Sequence, residues 1–286
     1  MRTVYWREQR HICGESYDRA AYMEVDLYPV TPAEHRASSR AKRRAATCLA
    51  MQRYNERRAR RYHVQLVNTN FREGDLSWTG TYDDEHLPGP EDRERADRDW
   101  SNFIKRLYRW CRKHSVARPR WIEVTEYTTV QPDGTTLGRH HHHAILERVV
   151  GLTREVLEGL WTAGMTRCEP LRVEHGSVES LVNYLSKNRR CSRSWRQSRG
   201  LKKPIVPKPN DTRWSRKRLE EASTTHVDDG EYWSRMYPGW TLERVEATVF
   251  EGGQRHTLVI LHRREPGGGE RRSLWKNPSI QQRRAS

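Results

Sequence analysis

Four consecutive histidines lie in the middle of the chain, at positions 140–143 within the segment GRHHHHAIL. The apolar residues that follow them indicate a β-strand, whose side chains alternate between two faces. The upstream segment RWIEVTEYT is typical of a second strand, and the Asp133-Gly134 pair between the two is a strong hairpin signal. The run therefore favours an antiparallel hairpin that presents one pair of imidazoles on each face.

The turn decides which pair of histidines meets a carboxylate. With Asp-Gly at the centre of a two-residue turn, His141 faces Glu126 and His143 faces Val124. Two imidazoles and a carboxylate are donors suited to a divalent metal ion with open positions. A bulge at residues 136–138 would reverse the faces and select the even-numbered pair instead. The alternative interpretation is that these histidines and this carboxylate are ordinary structural or surface side chains.

The elements around this hairpin predict an α+β fold. Hydrophobic periodicity and turn residues give the order strand, helix, strand, strand, helix, strand and helix, over residues 74–82, 91–114, 120–128, 139–147, 153–164, 169–175 and 176–190. The first six elements follow the split β-α-β, ferredoxin-like arrangement. We expect one antiparallel sheet, with the first strand and the histidine strand adjacent and central. Helices would cover one face, and a basic groove would lie on the other.

The charge of the chain points to a polyanionic partner. Its net charge is +16 and only 34% of its residues are hydrophobic, which favours nucleic acid. Residues 36–61 are typical of a basic helix, and residues 187–218 interleave basic residues with Trp195 and Trp214, a composition suited to single-stranded nucleic acid. The alternatives are a solvated charged face and a disordered basic linker.

Composition also sets the expected domains and compartment. We expect a basic, partly helical N-terminal extension over 1–62, a compact domain over 63–262 and a disordered tail over 263–286. The domain includes two further strands over residues 242–262. No stretch is apolar enough to span a bilayer, and five unpaired, widely spaced cysteines favour a reducing cytoplasm, so no membrane partner is expected.

The last predicted helix carries a candidate nucleophile. Its apolar stripe includes Leu181 and Leu185, and Tyr184 falls at the edge of that stripe with Lys187 one turn further on. A tyrosine beside a cation can attack a phosphate, since the cation favours the ionised phenol. The alternative is a half-buried amphipathic tyrosine, and Tyr82 is the main competing nucleophile.

Three stretches in this order together resemble the HUH endonucleases, most closely the rolling-circle replication initiators of phages and plasmids. WTGTYDDEHLP (78–88) is similar to the first family motif, GRHHHHAIL to the second and YLSK (184–187) to the third. The resemblance covers about residues 22–262. Two features depart from the family pattern: His142 stands where the middle residue is usually apolar, and Asn188 stands where many relatives carry a second tyrosine.

The resemblance implies a fold and a mechanism. It implies the HUH fold with Mg or Mn held by His141, His143 and a third ligand, here Glu126. Tyr184 would attack single-stranded or hairpin DNA at an origin and form a 5′-phosphotyrosine link, with Lys187 assisting. A host replication helicase or polymerase is a further expected partner. The alternatives are a transposase or relaxase of the same superfamily, and a non-catalytic single-strand-binding protein.

Overall fold

A computed structural model describes residues 4–36, 49–127, 138–173, 177–178, 195–249 and 255–263. Within them, the strands are β1 (Tyr5–Cys13), β2 (Tyr22–Val30), β3 (Leu76–Thr81), β4 (Trp121–Tyr127), β5 (His140–Leu146), β6 (Thr166–Pro170), β7 (Arg196–Gln197), β8 (Thr241–Val249) and β9 (Arg255–His262). The helices are α1 (Pro32–Arg36), α2 (Leu49–Asn70), α3 (Arg93–Lys113), α4 (Arg154–Leu160), α5 (Arg216–Ala222) and α6 (Gly230–Met236). None of these helices is both long and apolar enough to cross a membrane.

The histidine strand lies at the centre of a five-stranded antiparallel sheet, here called the histidine sheet. Its strand order is β6-β3-β5-β4-β7. The predicted adjacency of the first strand and the histidine strand is confirmed, because β3 pairs with β5 along its whole length. The α+β class with antiparallel strands is confirmed as well. Strand β6 begins and ends earlier than the stretch predicted at 169–175.

The expectation of a single sheet is wrong. A second, four-stranded antiparallel sheet with the order β1-β2-β9-β8 forms from both ends of the described chain, and we call it the terminal sheet. Strands β8 and β9 were expected over 242–262, but β1 and β2 lie in the segment expected to be a basic extension. The pairing of β2 with β9 joins residues more than 200 positions apart, which local sequence patterns do not reveal.

Three apolar clusters hold these layers together. One lies between the histidine sheet and helices α3 and α4 and includes the buried rings of Trp78, Trp100 and Phe103. Residue 80 is glycine in this cluster because a Cβ there would lie 2.3 Å from the Trp78 ring. A second cluster packs α5 and α6 on the terminal sheet. The third joins α2 to residues of both sheets.

Helix α2 overlaps the basic helix predicted over residues 36–61 but extends further along the chain. Its basic first part leads into a buried second part that includes Val64 and Val67. Residues 37–48 lie outside the described part of the chain. The segment is therefore not only a charged arm, because α2 also contributes to the core.

Candidate active site

The hairpin has the register predicted from its turn. Glu126 pairs with His141 and Val124 pairs with His143 across β4 and β5. On the other side of β5, Thr81 pairs with His141, and Thr79 with His143. Since cross-strand partners share a face, His141, His143 and Glu126 lie on one face with the two threonines. We call these five side chains the histidine face.

The threonines orient the two imidazoles. The Thr79 hydroxyl lies 3.1 Å from Nδ1 of His143, and the Thr81 hydroxyl lies 3.3 Å from Nδ1 of His141. The two rings are stacked with their centroids 6.2 Å apart. Because each Nδ1 is engaged by a threonine, Nε2 is the nitrogen that each ring offers to another ligand. Nε2 of His143 lies 3.3 Å from Oε2 of Glu126.

The electrostatics of this face favour neutral imidazole. Burial lowers the pKa of His141 below its ordinary value, and the neighbouring His143 lowers it further. Neutral imidazole and ionised carboxylate are the forms that coordinate divalent metals, so the chemistry of the donors fits such an ion. In the described parts of the chain, however, no group of three or more His, Cys, Asp or Glu side chains is arranged to hold a metal ion.

The even-numbered histidines point into the core on the opposite face. His142 is fully buried, with Nδ1 2.9 Å from Oε1 of Glu123 and 3.1 Å from the Thr125 hydroxyl. Its Nε2 lies 2.9 Å from the hydroxyl of Tyr82. Burial lowers the pKa of His142. This network gives a buried imidazole polar partners at a position where the resembling family usually has an apolar residue.

Arg196 completes the network from the edge of the sheet. Its Nε and Nη2 donate to the two oxygens of Glu123 at 2.8 and 2.9 Å, and Nη1 lies 2.8 Å from Oδ1 of Asp97. Burial disfavours the ionised Glu123, but His142 and Arg196 outweigh it and hold the pKa of Glu123 at about 2. Sequence reasoning missed both Glu123 and Arg196. The one signal for Glu123 was its place opposite the apolar face of a strand.

Tyr82, the competing nucleophile, is poorly suited to attack. It is buried, and its hydroxyl lies between His142 and Oδ2 of Asp99, which is 3.2 Å away. Burial raises its pKa well above the ordinary value, and the Asp99 charge raises it further. Tyr184, Lys187 and Asn188 lie outside the described residues, so the structure does not place the predicted nucleophile.

The two tryptophans of the basic segment have different surroundings. Trp214 is buried in the cluster between the terminal sheet and α5, so the expectation that it offers a ring to nucleic acid is wrong. Its indole nitrogen donates to Oε2 of the buried Glu8 at 2.7 Å. Trp195 is half-buried and stacks on His63.

The central sheet and its histidine face define an α+β protein with antiparallel strands and paired imidazoles beside a carboxylate. Comparison with known families adds a relationship: residues 75–189 match a family of replication-associated proteins that is named after ORF2. This match is consistent with a rolling-circle replication initiator and confirms the resemblance drawn from the three motifs. No curated protein and no solved structure matches the chain significantly.

Proposed function

We propose that this protein initiates rolling-circle replication by nicking and rejoining single-stranded DNA at an origin. The observation that carries the proposal is the histidine face, where His141, His143 and Glu126 share one side of a sheet within the segment that matches the replication-associated family. That family suggests replication, DNA binding and, in general terms, endonuclease activity. The metal, the tyrosine and the covalent step are our extension of it.

His141, His143 and Glu126 would hold Mg²⁺ or Mn²⁺. When bound, such an ion neutralises charge on the scissile phosphate, which favours phosphoryl transfer. The contribution of the chain is to fix the donors: the threonine hydroxyls hold each Nδ1, and the fully buried His142 anchors the strand between the two ligands. Small coordination movements would bring the three donors around the ion.

Tyr184 is the proposed nucleophile. Its phenolic oxygen attacks phosphorus, the bond from phosphorus to the 3′-oxygen breaks, and the leaving oxygen takes up a proton to become a 3′-hydroxyl. The strand then carries its 5′-phosphate on the tyrosine, and the reverse reaction rejoins it. Lys187 would steady a phosphate oxygen. The burial and raised pKa of Tyr82 support this choice, because an un-ionised, enclosed phenol is a weak nucleophile.

The charge of the chain supports DNA as its substrate. A net charge of +16 attracts a phosphate backbone, and single-stranded or hairpin DNA at an origin is the expected form. A host helicase or polymerase would extend the released 3′-hydroxyl. A transposase or relaxase of the same superfamily would share the histidine face and the tyrosine, and would differ in the strand that it joins.

Capture of a covalent product tests the proposal. The protein is incubated with a pool of random-sequence single strands and Mn²⁺, and adducts are separated on a denaturing gel. We expect an adduct in the wild type and in Tyr82→Phe, and none in Tyr184→Phe or in chelator. Peptide mapping should place the nucleotide on the segment SLVNYLSK. DNA binding without any adduct would instead support a non-catalytic single-strand-binding protein.

A further inference from the structure

An aromatic cluster lies where α2 meets the edge of the histidine sheet. The Trp195 ring is stacked on His63, with centroids 4.7 Å apart and planes 8° apart. Tyr62 lies on the other side of the contact, its ring centroid 6.2 Å from that of Trp195. Tyr62 is 37% exposed and Trp195 is half-buried, whereas His63 is buried. The cluster therefore presents aromatic surface to solvent on a buried support.

This cluster lies on the same side of the sheet as the histidine face. Strand β7 pairs Gln197 with Ile122, and extending that register by two residues places Trp195 opposite Val124. Val124 in turn pairs with His143. Trp195 packs with Ile122 in the cluster on this face. Two strand spacings, or about 10 Å, therefore separate the backbone of Trp195 from that of His143.

Positive charge surrounds the exposed aromatic edge. Arg57, Arg58 and Arg60 of α2 are exposed. Arg58 precedes Tyr62 by four residues, so the two side chains lie on one face of the helix, one turn apart. An arginine one turn from an aromatic ring suits a nucleotide, which has an anionic phosphate beside a flat base.

We propose that Tyr62 and Trp195 form a stacking platform for an unpaired base of single-stranded DNA, next to the phosphate held at the histidine face. Arg58 would contact the adjoining backbone phosphate. A base within a duplex is already stacked on both sides, so such a platform selects single strands. The proposal rests on the proposed function for the identity of the strand, and it adds the residues that hold a base near the reaction.

The test separates base contacts from phosphate contacts. Fluorescence anisotropy measures binding of a labelled 20-residue oligothymidylate and of an abasic strand of equal length, both in chelator to prevent cleavage. In the wild type, we expect the bases to tighten binding roughly tenfold over the abasic strand. Tyr62→Ala should lose most of this preference and Tyr62→Phe should keep it. Tyr17→Ala, at a tyrosine that is 47% exposed in the loop between β1 and β2, is the matched control and should also keep it.

Arg58→Gln should behave differently. It should weaken binding of both strands alike and reduce the slope of binding against salt by about one charge, with the base preference unchanged. If Tyr62→Ala does not fold, Tyr62→Leu replaces it as an apolar variant without a ring. An unchanged base preference in the ring-deleting variant, or an equal loss in Tyr17→Ala, would overturn the platform. Absence of an adduct in the wild type would instead count against nicking, and it would leave the base preference in chelator as measured.

Discussion

Replacing Glu123 by glutamine tests the buried network beneath the histidine strand. The carboxylate accepts hydrogen bonds from Arg196 at 2.8 and 2.9 Å and from the Thr125 hydroxyl at 2.6 Å, and it lies 2.9 Å from His142. Although burial opposes the charge, these partners hold the pKa of Glu123 at about 2, against an ordinary value of 4.5. The ionised form is therefore favoured by the folded protein.

The pKa difference gives the size of the effect. A pKa of about 2 instead of 4.5 corresponds to about 3 kcal/mol of stabilisation at pH 7. Glutamine keeps the shape of the side chain but removes its charge, and Arg196, only 16% exposed, then loses a carboxylate partner. Breaking one side of a buried ion pair commonly costs about 3–5 kcal/mol. We therefore expect Glu123→Gln to lower the free energy of unfolding by about 3 kcal/mol.

Urea denaturation at pH 7, followed by circular dichroism, measures this loss. The matched control is Glu126→Gln, on the same strand but on the histidine face, which should cost about 1 kcal/mol or less. Glu126→Gln should weaken Mn²⁺ binding, whereas folded Glu123→Gln should retain it. If Glu123→Gln costs less than about 1 kcal/mol, or if the two variants are equally destabilised, the network does not stabilise the fold as described.

Three further predictions follow from the site and the charge. His141→Ala and His143→Ala should each abolish Mn²⁺ binding in calorimetry while His140→Ala retains it, and dependence on the even-numbered histidine would contradict the face assignment. Burial lowers the pKa values of His140, His141 and His142, so the unfolded chain binds more protons near pH 6. Stability to urea should therefore be complete above about pH 6.5 and decline as the pH falls below it; a flat profile between about pH 5 and 8 would refute this. Affinity for single-stranded DNA should fall steeply with salt, and equal or better binding to a blunt duplex at moderate salt would count against an initiator.

Much of the histidine sheet could be predicted from local patterns. Period-two alternation identified β3, β4 and β5, and apolar residues at three- and four-residue steps identified α3 to within two residues at each end. The terminal sheet was missed because β1 and β2 carry many charged residues and are completed only by β9, at the far end of the chain. Trp214 was assigned to the surface for a similar reason, since the basic residues around it conceal a buried ring.

The sequence by itself determined that His141 and His143 share a face with Glu126. A two-residue turn and strict alternation are local properties, and together they define the register of a hairpin without reference to the rest of the fold. Only the tertiary structure decided the surroundings of the other face, where Arg196 reaches Glu123 across 73 residues of sequence. Such a contact depends on how distant segments pack and bury charge together, and no periodicity within either segment encodes it.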